Sequence, residues 1–200
     1  MDQEEKAQFY TADCSLATQA YLLPLNWWQQ WQYYTEEDGP RPPRIDNAAL
    51  EEHLAQGLAL SACKAVSRSQ WRLLRKWYGG GPELEVCLSN DSEEAELIQV
   101  RACTYEDYTG SRSPWELVSM SAEVDWATLH LHLCGRFKVN KAIIHLVQLD
   151  TFGRSALQPL SSDEPVPLVR GCELVVEADE ETDDEELISP VGRNSSTGNP

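Results

Sequence analysis

Along the first ninety residues, apolar positions recur at helical spacing in three places and alternate in the stretches between. Residues 18–25 read as a short strand leading into a helix, where Trp27, Trp31 and Tyr34 fall on one face. Trp28 sits about 100° away on a helix of ~3.6 residues per turn, at the expected border with solvent. Residues 36–40 end this helix, and an extended turn carries Pro42, Pro43 and Arg44. Asp46 is then a candidate N-cap, with Ile45 placed to staple onto Leu50. Leu50 and Leu54 share a face, and Gly57 suits the helix stop. Leu58, Leu60 and Ala62 alternate as a strand that continues to Val66. In the third helix Ser67 and Gln70 match a capping box, and Val66 and Trp71 occupy staple positions. Trp71, Leu74 and Tyr78 line one side, and Gly79 ends the helix. Arg72, Arg75 and Lys76 take the other faces, toward the C-terminal half where the dipole favours cations. Residues 83–89 alternate as a third strand.

Beyond a polar break at residues 90–94 the pattern favours strands, over residues 97–103, 117–124, 139–149 and 173–177. Leu129, Leu131 and Leu133 alternate strictly with His130, His132 and Cys134, which predicts a half-buried strand. No helical period of usable length shows in this half. From Asp179 onward the chain is acidic and then rich in Gly, Ser, Asn and Pro, and such a tail is expected to be disordered.

Composition narrows the partners. The net charge is -17, and residues 173–200 contribute nine acids against one Arg. That argues against nucleic acid and anionic membrane. No run approaches the ~18 apolar residues needed to span a bilayer. The opening Met-Asp-Gln-Glu-Glu-Lys is unlike a secretory signal, so a cytoplasmic and/or nuclear location is expected. The six cysteines lie far apart with no C-x-x-C pair, which predicts reduced, mostly buried thiols and no zinc ribbon.

Three motifs in order carry a resemblance: Trp27-Trp28-x-x-Trp31, Ile45-Asp46-Asn47-x-x-Leu50, and Trp77-Tyr78-Gly79-Gly80-Gly81-Pro82. Together they resemble the DUSP domain of ubiquitin-specific proteases, over roughly residues 5–90. The resemblance implies an α+β fold of three helices and a three-stranded antiparallel sheet with a tripod outline. It implies a non-catalytic module that binds proteins of the ubiquitin pathway. Where the family often has Pro-Gly-Pro, this chain has Pro42-Pro43-Arg44, and where the family commonly has an Arg it has Glu83-Leu84-Glu85. Residues 91–124 then read as a linker with short strands. Residues 125–178 read as a divergent β-rich segment that faintly resembles a ubiquitin-like domain, with residues 128–134 as its opening strand and 171–177 as its closing one. Residues 179–200 are the acidic tail.

Chemistry is sparse. A ubiquitin-specific protease needs a Cys, activated by a His, in an Asn-x-Gly-Asn-Thr-Cys context, and none of the six cysteines has it. This stretch is therefore expected to be no enzyme and to use no cofactor, and a downstream catalytic domain is a candidate partner. His130, His132 and Cys134 would share a strand face, but a polar face opposite the three leucines explains them without a metal. The glycines at 79–81 follow a helix rather than precede one, so they end it and do not cradle phosphate. The candidate interaction residues are Trp28, Arg44, Asp46, Arg72, Arg75, Lys76 and Gly80. Leu174, Val175 and Val176 before an acidic run resemble a SUMO-interacting motif, which would need a free strand. Three functional readings follow: a regulatory or substrate-recognition module of a ubiquitin-specific protease, the N-terminal piece of a complete cysteine deubiquitinase, and a free-standing acidic adaptor.

Overall fold

The computed structural model describes residues 2–13, 19–88, 95–110 and 115–179. The expected tail therefore lies outside the described residues from 180 onward.

The first unit opens with helix α1 (Asp2–Thr11), then strand β1 (Ala20–Pro24) runs directly into helix α2 (Leu25–Glu36). A short strand β2 (Ile45–Asp46) precedes helix α3 (Ala48–Gln56), strand β3 (Leu58–Ala59) and a 3-10 turn at Leu60–Ala62. Strand β4 (Cys63–Ser67), helix α4 (Arg68–Tyr78) and strands β5 (Gly80–Gly81) and β6 (Glu85–Val86) complete it. β1 is the centre of a three-stranded antiparallel sheet in the order β4-β1-β6. Both of its faces are covered. Tyr21 and Leu23 point into an aromatic core with Trp27, Trp31 and Trp71, while Ala20 and Leu22 meet Leu50, Leu54 and Leu58. That double burial is why β1 reads as a continuous apolar run rather than an alternation.

Local signals place several ends as expected. The Ser67–Gln70 capping box is formed in both directions, and Gly79 and Gly57 end their helices at positive φ. Others shift. α3 begins one residue later than an Asp46 cap would give. Asp46 Oδ1 accepts from the Ala48 amide at 3.1 Å, and Asn47 is drawn wholly into the core. α1 has no strong amphipathic signature, yet Phe9 is buried against Trp28 and Trp31.

The second unit corrects the sequence reading. Within residues 91–124, expected as a linker with short strands, β7 (Glu96–Thr104) and β8 (Glu116–Ser121) form close to the strands expected at 97–103 and 117–124, with the short helix α5 (Tyr105–Thr109) between them, and both belong to a sheet rather than to a linker. Residues 128–134, expected as a strand, lie inside helix α6 (Trp126–Phe137). Asp125 caps α6 by accepting from the Thr128 amide at 2.8 Å. Leu129 and Leu133, four apart, are buried together, whereas Leu131, 200° around from Leu129, is 61% exposed. Strands β9 (Ala142–Leu149), β10 (Ser155–Pro159) and β11 (Glu173–Ala178) follow. The strands lie in the order β8-β7-β11-β9-β10, with β7 and β11 parallel and the other pairs antiparallel. α6 covers one face, where Leu129 and Leu133 pack on Val100, Ile144, Leu174 and Val176.

Backbone pairing joins the units. β3 pairs with the start of β7, Leu58 opposite Leu97. Cys87, just past β6, exchanges hydrogen bonds of 2.9 Å with Ser119 and Ser121 of β8. The Arg170 guanidinium donates to the Gln56 carbonyl across the same seam.

Candidate functional site

The Ile45-Asp46-Asn47 turn is held from several sides. Asn47 Nδ2 donates to the Leu22 carbonyl at 3.0 Å and the Pro82 carbonyl at 2.9 Å. β2 pairs in parallel with β5, Ile45 beside Gly80. A Cβ on Gly80 would stand 2.0 Å from the Ile45 carbonyl oxygen, and Gly80 has φ of +107°. Only glycine allows that approach and that conformation together. The Trp27 indole donates to the Pro43 carbonyl at 2.8 Å and meets the Tyr78 ring edge-on at 5.2 Å. These contacts fix the residues before the turn against α2 and leave a groove between α2, that segment and α3.

The groove has a cavity volume of about 620 Å³. Its apolar lining includes Pro24, Leu25, Trp27, Pro43, Ala49 and Leu50, and its polar lining Asn26, Gln29, Gln30, Arg44, Asp46 and His53. An apolar floor with a few polar groups of both signs is the usual form of a site for a small molecule or a peptide side chain.

Residues 17–90, which contain the turn and every element of the groove, match the model of the DUSP domain. The chain carries a DUSP domain. A curated relative, ubiquitin carboxyl-terminal hydrolase 5 of Arabidopsis thaliana, is 22% identical over 186 residues, covering 71% of this chain and 20% of the relative. The chain thus spans about a fifth of the length of that relative.

Within the DUSP domain the expected interaction residues separate. Arg44 and Asp46 reach the groove. Gly80 serves the close backbone packing behind it. Trp28 is buried, stacked on Trp31 at 4.9 Å, with the Lys64 ammonium 5.5 Å from its ring centre. It is therefore a core residue at this position, because α1 supplies Phe9 to cover the side expected to face solvent. Arg72, Arg75 and Lys76 stand on the exposed side of α4, away from the groove lining, and Arg75 pairs with Glu83 at 2.6 Å. The residues that the sequence reading missed are those of α2 and α3 facing the groove. Their signal was the exposed pair Gln29-Gln30 beside an apolar helix face.

Leu174, Val175 and Val176 lie in β11, fully paired between β7 and β9 and buried. A SUMO-type motif needs a strand with a free edge, so this reading is corrected. On α6, His130 and Cys134 approach to 3.7 Å, but His132 lies on another side of the helix. His145 hydrogen-bonds Glu177 at 2.7 Å on a different element. No group of three or more metal-ligating residues forms among the described residues.

Among the described thiols Cys63, Cys87, Cys103 and Cys134 are buried and Cys172 is half-buried. Burial pushes Cys63 and Cys103 up to about 11 and Cys87 up to about 12, with Asp125 adding to the shift at Cys87. A nucleophilic thiol needs the opposite shift.

Proposed function

We propose that this chain is a non-catalytic protein-interaction module of the ubiquitin system, a regulatory or substrate-recognition region of a ubiquitin-specific protease. The observation that carries the reading is the DUSP match at residues 17–90, coincident with a preformed groove. The groove takes an apolar side chain from a partner segment, with Arg44 and Asp46 orienting its polar groups. The likeness to a ubiquitin carboxyl-terminal hydrolase supports a longer parent protease, with a catalytic domain downstream of this region. Within this reading the module works in the cytoplasm and/or nucleus, where its thiols stay reduced.

Residues 96–178 are read as a ubiquitin-like domain behind the DUSP domain. The strand order, the parallel central pair and the single long helix across one face support that reading.

The test is affinity capture with the whole chain against an Ala49→Arg variant, which fills the groove from an exposed α3 position. Capture of ubiquitin-pathway proteins by the parent and their loss in the variant is the expected result. Equal capture by both would remove the groove, and capture of proteins unrelated to that pathway would remove the function.

A further inference from the structure

α4 carries four cations and no acid in eleven residues, on a chain of net charge -17. Arg68, Arg72 and Lys76 recur every four residues along one exposed ridge. Arg75 beside them is paired with Glu83, whereas the other three have no ion pair among the described residues. Helix stability does not account for the ridge. Arg75 and Lys76 lie in the last turn, where the dipole favours them, but Arg68 occupies the first helical position, where a cation is disfavoured. Like charges four apart also repel.

We infer that the α4 ridge docks an extended acidic segment of a separate partner protein, one with carboxylates at alternating positions. The spacing supports this. Arg68 to Lys76 covers ~12 Å at ~1.5 Å per residue. Alternate side chains of an extended strand are ~6.6 Å apart, so three of them cover ~13 Å on one side. Three carboxylates at positions j, j+2 and j+4 thus meet three cations in register.

The chain's own acidic run has this alternation at Glu181, Asp183 and Glu185, but it does not reach. The chain leaves β11 at the end remote from the β3–β7 seam, ~26 Å along β7 at ~3.3 Å per residue. Residues 180–186 extend at most ~24 Å beyond Asp179, and α4 packs on β1 and β4 beyond the seam. A second copy brings another -17, and that mutual repulsion opposes its docking. The same net charge repels nucleic acid outside the ridge, which is one helix face wide.

The surface is independent of the groove, so its test is too. The probe is a fluorescent dodecapeptide of alternating Glu and Ser, compared with one of equal composition in which pairs of Glu alternate with pairs of Ser, so that no three Glu fall at j, j+2 and j+4. Anisotropy is read on the whole chain at low salt and at ~0.3 M salt. The alternating peptide is expected to bind about 3-fold or more tightly than the paired one, with affinity falling as salt rises. Replacing Arg68, Arg72 and Lys76 together by Gln is expected to weaken it about 10-fold or more, while Arg72→Lys retains most of it. The three side chains are exposed, and an unchanged thermal transition confirms that the variant is folded. Equal binding of the two peptides, or binding indifferent to the triple substitution, would overturn the inference. So would tighter, ridge-dependent binding of duplex DNA, or self-association that disappears on truncation after Asp179.

Discussion

Asn47 shows how one side chain can hold a site that it does not line. Its amide ties β1 to the Pro82 turn through two carbonyls, in a fully buried position. Asn47→Ala leaves both acceptors dry and is expected to cost about 2–4 kcal/mol in urea unfolding. Asn47→Asp is expected to cost more at neutral pH, because a carboxylate would face the same two oxygens. Gly80→Ala is expected to cost about 2 kcal/mol or more, since its Cβ meets the Ile45 carbonyl at a positive φ. The buried tyrosines set an alkaline limit. Burial, then the Glu85 charge, raises Tyr21 to about 12 from its ordinary 10.0, and burial with the Glu5 hydrogen bond raises Tyr78 as well. A folded-state pKa above the unfolded one gives stability that is complete below pH 10 and is lost as pH rises through the folded value. The buried thiols Cys63, Cys87 and Cys103 add the same loss from their ordinary 9.0, so thermal melts are expected to fall from pH 9.0 toward 12, less steeply in Tyr21→Phe. A flat profile over that window would contradict the assigned burial.

At the scale of elements, α4 and α6 teach opposite lessons. α4 was legible because its signals are local: Ser67 and Gln70 cap each other, and Trp71, Leu74 and Tyr78 share a face within three turns. Ser67→Ala is expected to cost about 1 kcal/mol. α6 was illegible because Leu129, Leu131 and Leu133 satisfy a period of two as well as they could. In a strand the three would be buried alike. In the helix Leu133→Ala is expected to cost about 2–4 kcal/mol and Leu131→Ala less than about 0.5 kcal/mol. Comparable losses for both in urea unfolding would return the segment to a strand. The Asp125 cap, three residues before Thr128, was the signal that distinguished them.

At the scale of the molecule, the two units share hydrogen bonds and a core. Leu97 of β7 belongs to the cluster formed by Leu22, Leu50 and Leu54 of the DUSP domain. β3 and Cys87 extend backbone pairing across the seam. A single cooperative melting transition is expected for residues 2–179, with Leu97→Ala lowering it as a whole. Two separated transitions in calorimetry would show that the seam contributes little. A rigid seam also fixes the direction in which the groove and the far end of β11 face, so both units would present to a partner together.

What the sequence by itself determined is the DUSP domain and most of its ends. Its signals are short-range: caps, staples, glycines at positive φ and an ordered set of tryptophans. The tertiary structure alone decided which exposures survive. Trp28 looked half exposed until Phe9 of α1 covered it, and Leu174-Val175-Val176 looked like a free motif until β7 and β9 paired with both of its edges. The groove belongs to the same class, since its walls come from α2, α3 and the Pro43–Arg44 segment, and only their packing creates the space between them. Periodicity reports what a residue's own element buries, whereas a neighbour far along the chain decides what remains open to a partner.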